Sequence, residues 1–189
     1  MRFFPVFLDL DHQPVLVVGG GEQAAQKIRL LRKTKARLRV LALDVCAELL
    51  DLAVAGELTL ERRHLAARDL AGVRLAYVAL DDDGDAARAV AMCRAAGVPV
   101  NAVDRQELCD FITPAIVDRD PVVVAIGSEG AAPVLARQLK ARLEAMLPAQ
   151  LGGLARWAAS LRKRVGDAVL GSSARRRLWD GFFDGPVDH

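Results

Sequence analysis

PVLVVGGGEQAAQKIRLL, the stretch from Pro14 to Leu31, decides the fold of this chain. Residues 15–18 form a short apolar run rich in β-branched side chains, and three glycines follow at once. Such a run predicts a buried strand that ends in a tight turn. A helix follows, because from Glu22 onward the apolar residues recur at helical spacing, as Ala24, Ala25, Ile28 and Leu31.

The glycine turn fits the pattern G-x-G-x-x-G/A of dinucleotide-binding turns, with Gly19, Gly21 and Ala24 at the three small positions. The first glycine allows the turn, the second lets a pyrophosphate approach the backbone, and the third small residue lets helix and strand pack closely. A glycine triplet is also found in purely structural turns, but a strand before it and a helix after it favour dinucleotide binding. We expect the pyrophosphate to lie over Gly19, Gly21, Glu22 and Gln23.

The composition is that of an ordinary globular protein of 189 residues, of which 52% are hydrophobic, with a net charge of +2. This length is enough for a sizeable core, and the small charge gives no argument for a nucleic-acid partner. No apolar run approaches the length of a membrane span, and the apolar N-terminal run is too brief for a signal peptide. The three widely spaced cysteines indicate small, buried, reduced thiols. We therefore expect a cytoplasmic protein that binds neither nucleic acid nor membrane.

Strands and helices alternate through the first half of the chain. After the first helix, strands are predicted at residues 37–42, 57–63, 74–80 and 98–103, and helices at residues 45–55 and 81–95. This alternation predicts an α/β fold with a doubly wound parallel sheet. Ligands of such sheets bind beyond the carboxyl ends of the strands. The loops that should converge on one site are those after Val18, Ala42, Leu80 and Val103.

The pattern changes near Phe111. Two apolar runs, at residues 112–117 and 122–126, flank a turn and predict a β-hairpin. Helical stripes follow from Pro133 to Pro148, over residues 151–161 and over residues 173–183. These elements lack a further layer to cover their apolar surface, and a partner subunit is the simplest cover.

Several separated motifs stand in a characteristic order along the chain: VVGGGEQAAQKIRLL (17–31), NAVD (101–104), FITPAI (111–116), GSEG (127–130), PVLAR (133–137), RRRLW (175–179) and FF (182–183). With them the chain, from Pro5 to Phe183, resembles the siroheme-synthase family in its precorrin-2 dehydrogenase and sirohydrochlorin ferrochelatase module. The resemblance implies a homodimer that oxidises precorrin-2, a tetrapyrrole polycarboxylate, with NAD and then inserts Fe²⁺ to give siroheme. It also implies a Rossmann-type NAD-binding domain in residues 1–112, a dimerisation region in 113–147 and a helical C-terminal domain in 148–189.

Asp104 is the candidate catalytic residue. Oxidising precorrin-2 removes a hydride and a proton, and inserting a metal removes two pyrrole protons, so one base is able to serve both steps. Asp104 follows a predicted strand at its carboxyl end, where the cofactor should lie; a turn or cap residue is the alternative interpretation. The family resemblance favours catalysis. Asn101, in the same turn, is a candidate substrate-binding residue that is expected to fix the loop rather than to react.

The second loop supplies two further cofactor candidates, Leu43 and Asp44, beside the adenosine ribose. An acid at this strand end accepts from the ribose hydroxyls and repels a 2′-phosphate, which favours NAD over NADP. Asp44 is alternatively a cap of the next helix. The three acids at residues 81–83 invite a metal interpretation, but capping is more typical of acids at a helix start, so no protein metal site is expected.

Substrate contacts are expected from the second half of the chain, which is rich in arginine and lysine. Guanidinium groups pair well with carboxylates, and Arg137 is one candidate. Ser128, in a glycine-flanked loop before a helix, matches a loop serine that the family places near the active site. Phosphate on Ser128 would oppose an anionic substrate. The alternatives are a dehydrogenase without chelatase activity, a non-catalytic nucleotide or tetrapyrrole sensor, and an RNA-binding dimer built on the basic tail.

Overall fold

The structure is a computed structural model that describes residues 1–168 and 171–184, apart from the side chains of residues 163 and 184. The chain divides into two compact units, Met1–Thr113 and a second that begins at Pro114. The boundary lies where the sequence pattern changes. The predicted further division of the second unit at residue 147 stays a prediction.

The first unit is built from alternating strands and helices: β1 (Pro14–Val18), α1 (Glu22–Leu31), β2 (Arg37–Leu41), α2 (Ala47–Val54), β3 (Thr59–Glu61), β4 (Leu75–Val78), α3 (Asp83–Ala95) and β5 (Val100–Ala102). The five strands are parallel and lie in the order β3-β2-β1-β4-β5. This confirms the predicted doubly wound parallel sheet of Rossmann type. The strand order reverses between β1 and β4, which is the position where such sheets bind their ligands.

Successive residues of β1 point into two different cores. Val15 and Val17 pack in one cluster with Ile28 of α1, whereas Leu16 and Val18 pack in the other with residues of α3. The four β1 residues are at most 5% exposed. Because helices cover both faces of the sheet, its carboxyl end is the place left for a ligand.

Several predicted boundaries differ from those observed. Helix α2 begins at Ala47 rather than at residue 45, because Cys46 is extended and its N–H donates to the carbonyl of Gly20 at 2.8 Å. Strand β3 covers only three of the seven predicted residues. Residues 3–10 form no strand.

In the residues that the structure describes, the second unit contains an antiparallel hairpin and three helices, as predicted. Its elements are β6 (Ala115–Arg119), β7 (Val122–Ile126), α4 (Pro133–Met146), α5 (Leu151–Ala168) and α6 (Ser172–Asp184). Proline opens α4 because its fixed φ suits the first helical turn. Helices α5 and α6 meet through the rings of Trp157 and Phe182, whose centroids are 5.0 Å apart. Over residues 1–168 and 171–184, no helix is both long and apolar enough to cross a membrane.

Candidate active site

A cleft of about 880 Å³ lies at the carboxyl end of the parallel sheet. The loops after β1, β2 and β4 line it, together with residues 63–65 after β3 and part of α3. A smaller cavity of about 250 Å³ is lined by Gln23, Leu80, Asp81, Asp83, Asp104 and Arg105. Gln23, Leu80 and Asp81 line both the cleft and the smaller cavity. The loop after β5, which carries Asp104, therefore meets the loops after β1, β2 and β4 at this end of the sheet.

The three glycines of the turn after β1 differ in what a side chain at each position would meet. Gly19 has a φ of +121°, and a Cβ there would lie 2.0 Å from the carbonyl oxygen of Ala79. A Cβ on Gly20 would lie 2.1 Å from the carbonyl oxygen of Asp44. A Cβ on Gly21, by contrast, would meet no atom of the described chain within 4 Å. The packing of the chain therefore explains the first two glycines, and Gly21 keeps its backbone open toward the cleft.

The first turn of α1 presents its backbone at this cleft. Gly21 is the N-cap residue and makes no side-chain capping hydrogen bond, and Glu22 and Gln23 line the cleft. The Glu22 carboxylate turns along the helix and pairs with the Arg29 guanidinium at 2.8 Å. Arg29 also hydrogen-bonds Glu48, which lowers the pKa of Glu48 and raises that of Arg29. The free N–H groups of this first turn therefore bring the positive end of the α1 dipole to the cleft.

The loop after β2 places Leu43 and Asp44 next to the glycine turn, because the carbonyl oxygen of Asp44 lies against Gly20. Both side chains are exposed and both residues line the cleft. Asp44 is not the cap of the next helix, because the N-cap of α2 is Cys46. The carboxylate of Asp44 is therefore available at the cleft, and its contact with ribose hydroxyls stays a prediction.

Asp104 lies at the start of the loop after β5, with an exposed side chain. Its φ of +60° is in the left-handed region. Nε2 of Gln23 donates a hydrogen bond of 2.7 Å to Oδ2 of Asp104. The short helical turn that follows has Arg105 at its N-cap and no side-chain cap, so Asp104 does not serve as a cap there. The structure thus brings the carboxylate to the helix turn that is predicted to bind the nucleotide.

Arg105 is a residue that the sequence analysis missed. Its guanidinium donates to the carbonyls of Leu80 and Asp81 at 2.9 and 2.8 Å and to the carboxylate of Asp83 at 2.8 Å. These contacts join the loop after β4 to the loop after β5. Its position next to Asp104 was the only sign of this role in the sequence, because these partners lie more than twenty residues away.

A second missed feature lies on the β3 side of the cleft. Arg63 lines the cleft and donates to both carboxylate oxygens of Asp69 at 2.6 Å, and it also hydrogen-bonds Glu61 at 2.7 Å. Asp69 is 3% exposed. The Arg63 guanidinium lowers the pKa of Asp69 from 3.8 to about 2. Two carboxylates therefore neutralise the charge of Arg63 on this side of the cleft.

Asn101 is placed inside the fold rather than at the cleft. It is 6% exposed, and its side-chain amide donates to the carbonyl of Phe111 at 2.9 Å. It is absent from the residues that line either cavity. Asn101 therefore holds the segment after β5 through its amide, and its predicted contact with the substrate stays a prediction.

The candidate substrate residues Ser128 and Arg137 belong to the second unit. Ser128 is partly exposed in the loop between β7 and α4, and its carbonyl accepts from the N–H of Ala131 at 2.9 Å. Arg137 is exposed on α4. Another basic residue, Arg156, instead holds the hairpin turn by donating to the carboxylate of Asp120 at 2.9 Å. The roles of Ser128 and Arg137 stay predictions.

Of the acids at residues 81–83, Asp82 acts in capping and Asp83 pairs with Arg105. Asp82 is the N-cap of α3, and its Oδ1 accepts from the N–H of Asp85 at 2.8 Å. Within the residues that the structure describes, no three His, Cys, Asp or Glu side chains are grouped so as to hold a metal ion.

Comparison with known proteins places this site in a family. Residues 6–115 match the model described as "Putative NAD(P)-binding", and residues 150–189 match the sirohaem synthase dimerisation region. A solved structure named SirC, precorrin-2 dehydrogenase, superposes with a TM-score of 0.75 over 98% of this chain and 92% of that chain. At 24% identity, this likeness concerns the fold.

Curated relatives match over almost the whole chain. The siroheme synthase of Methylococcus capsulatus is 45% identical over 99% of this chain, and that of Chromobacterium violaceum is 47% identical over 99%. The siroheme synthase of Ectopseudomonas mendocina is 46% identical over the same share. This chain spans 40% of the length of each of these relatives. It therefore belongs to the family that its motifs predicted, the siroheme synthase module with its NAD(P)-binding domain.

Proposed function

We propose that this protein oxidises precorrin-2 to sirohydrochlorin with NAD as the hydride acceptor. The contact between Gln23 and Asp104, 2.7 Å, carries this proposal, because it joins the candidate nucleotide turn to the candidate base. The names of the relatives, siroheme synthases and a precorrin-2 dehydrogenase, supply the substrate class. The family match to an NAD(P)-binding domain supports the cofactor class.

The residues around the cleft fit a dinucleotide. Gly21 leaves open space where a side chain would stand, and the uncapped first turn of α1 offers N–H groups to a pyrophosphate. The exposed carboxylate of Asp44 accepts from ribose hydroxyls and repels a 2′-phosphate. Arg63 lies on the same side with its charge held by Asp69 and Glu61, so this guanidinium is not free to pair with a 2′-phosphate. These features support NAD over NADP.

The reaction removes two hydrogens from precorrin-2, one as a hydride and one as a proton. When bound, NAD supplies the acceptor for the hydride and becomes NADH. Asp104 accepts the proton, because its exposed carboxylate is held beside the turn that binds the cofactor. Arg105 keeps the backbone of this loop in place through the carbonyls of Leu80 and Asp81.

We propose that the protein is a homodimer and that it binds its tetrapyrrole partly through the second unit. The match of residues 150–189 to a dimerisation region supports the dimer. Helix α4 adds exposed apolar side chains that a second copy would cover, among them Val134, Leu135 and Met146. Ser128 and Arg137 are the proposed contacts of the substrate carboxylates.

The second proposed step is insertion of Fe²⁺ into sirohydrochlorin to give siroheme. The pyrrole nitrogens of the substrate bind the ion, so the step does not require ligands from the protein. Asp104 is again the proposed acceptor for the protons that the pyrroles lose. The narrower alternative is a dehydrogenase without this step.

The test is an absorbance spectrum of the purified protein with precorrin-2 and NAD, recorded before and after Fe²⁺ is added. The proposal predicts one NADH formed for each sirohydrochlorin, followed by conversion of sirohydrochlorin to siroheme faster than in a protein-free sample. NADH formation without accelerated metal insertion would restrict the function to dehydrogenation. Binding of NAD and tetrapyrrole without any NADH would instead favour a sensor.

A further inference from the structure

We infer that Gln23 is a positioning residue for Asp104, whose carboxylate it orients toward the substrate. This inference rests on the proposed function, in which Asp104 is the base. The observation behind it is the hydrogen bond from Nε2 of Gln23 to Oδ2 of Asp104, which joins two residues 81 positions apart. Gln23 thereby has a role beyond the backbone contact with the cofactor.

The Asp104 side chain needs such a contact because the other contacts of its loop hold the backbone instead. Arg105 fixes the loop's backbone through the carbonyls of Leu80 and Asp81, but these contacts do not reach the carboxylate. The Asp104 side chain is exposed, and an exposed carboxylate is free to change rotamer. The Gln23 amide occupies Oδ2 and holds the carboxylate in one orientation, which leaves Oδ1 to accept the proton.

The same contact links the base to the cofactor turn. Gln23 belongs to the first turn of α1 and lines both the large cleft and the smaller cavity that contains Asp104. A pyrophosphate bound to the N–H groups of this turn fixes the backbone from which the Gln23 side chain reaches Asp104. Occupancy of the cofactor site and orientation of the base are therefore coupled, and such coupling is reciprocal.

The charges around this contact explain why a neutral donor suits the position. Asp81 and Asp83 line the same small cavity as Asp104, and Arg105 is paired with the carboxylate of Asp83. A further carboxylate at position 23 would share a proton with Asp104, because like charges at hydrogen-bond distance do not both ionise. The Gln23 amide donates a hydrogen bond without adding charge.

The test compares steady-state kinetics of the full chain with Gln23→Met, Gln23→Glu and the control Gln26→Met. Methionine keeps the length of the side chain and its helix propensity but has no donor. For Gln23→Met, kcat should fall by roughly ten- to hundredfold, as expected for loss of a hydrogen bond to a charged group. Its dissociation constant for NAD should stay within about threefold, because the backbone N–H groups remain. Gln26, exposed on the same helix, should tolerate the change without effect.

Gln23→Glu gives a readout that a merely structural role would not move. The acidic limb of its pH–rate profile should shift to higher pH, because the introduced carboxylate and that of Asp104 would hold a proton between them. An unchanged kcat in Gln23→Met, or a loss confined to NAD affinity, would overturn the inference while the proposed function stands. A wild-type protein that forms no NADH would overturn the proposed function and this inference with it. Far-UV circular dichroism checks that each variant folds, and Gln23→Val replaces any that does not.

Discussion

The backbone carbonyl of Gly20 accepts a hydrogen bond of 2.8 Å from the N–H of Cys46, so the turns before α1 and α2 are tied together. This contact makes one continuous wall from the loop after β1 and the loop after β2. The candidate pyrophosphate and ribose positions lie along this wall. Substitutions along this wall should therefore distinguish residues needed for packing from residues needed for ligand binding.

Alanine at Gly21 and at Gly20 should have opposite consequences. Gly21→Ala should leave the free energy of unfolding almost unchanged and weaken NAD binding about tenfold, because its methyl group projects into open space at the cleft. Gly20→Ala should destabilise the fold by about 2 kcal/mol or more, because its methyl group meets the carbonyl of Asp44. Chemical denaturation and calorimetric titration with NAD measure the two effects. Tight NAD binding by Gly21→Ala would argue against the pyrophosphate position.

Asp44 should set the preference between the two nicotinamide cofactors. In Asp44→Asn the repulsion of a 2′-phosphate is lost, so the affinity for NADP should rise about tenfold while that for NAD falls. Titration of both cofactors into both proteins gives the ratio. The exposed Asp51 on α2, outside the cleft, is the matched control, and Asp51→Asn should leave the ratio unchanged.

The ion pair between the buried Asp69 carboxylate and Arg63 should make the free energy of unfolding depend on pH in the acidic range. The folded pKa of Asp69, about 2, is below its usual 3.8, so its stabilisation is complete above about pH 5. This stabilisation amounts to about 2 kcal/mol of the free energy of unfolding, and it is lost as the pH falls toward 2. Unfolding of wild type and Asp69→Asn between about pH 2 and pH 7 should show stabilities that converge at low pH. Parallel curves would contradict this account.

The three cysteines should differ in reactivity. Cys46 is partly exposed at the cleft, whereas Cys93 and Cys109 are buried. Burial raises the pKa of Cys93 to about 11, so little of this thiol is ionised at neutral pH. Iodoacetamide followed by mass spectrometry should find Cys46 modified first, and saturating NAD should slow that modification. Equal labelling with and without NAD would place the nucleotide elsewhere.

The sequence was sufficient to predict the sheet and the loops at its carboxyl end, because apolar runs and glycine turns are local signals. It also predicted that Asp104 and the glycine turn lie at the same end. It did not predict that Gln23 contacts Asp104 or that Arg105 fixes the loop, because these contacts join residues distant in sequence. The start of α2 was misplaced because the contact between Gly20 and Cys46 is also tertiary.

The most direct test of the central claim is the rate of NADH formation from precorrin-2 by Asp104→Ala, measured beside its affinity for NAD. The account predicts that NADH formation is abolished while NAD binds as it does to the wild type, because the carboxylate accepts the proton and the glycine turn holds the cofactor. Unchanged turnover in Asp104→Ala would remove this residue from the mechanism and contradict the account.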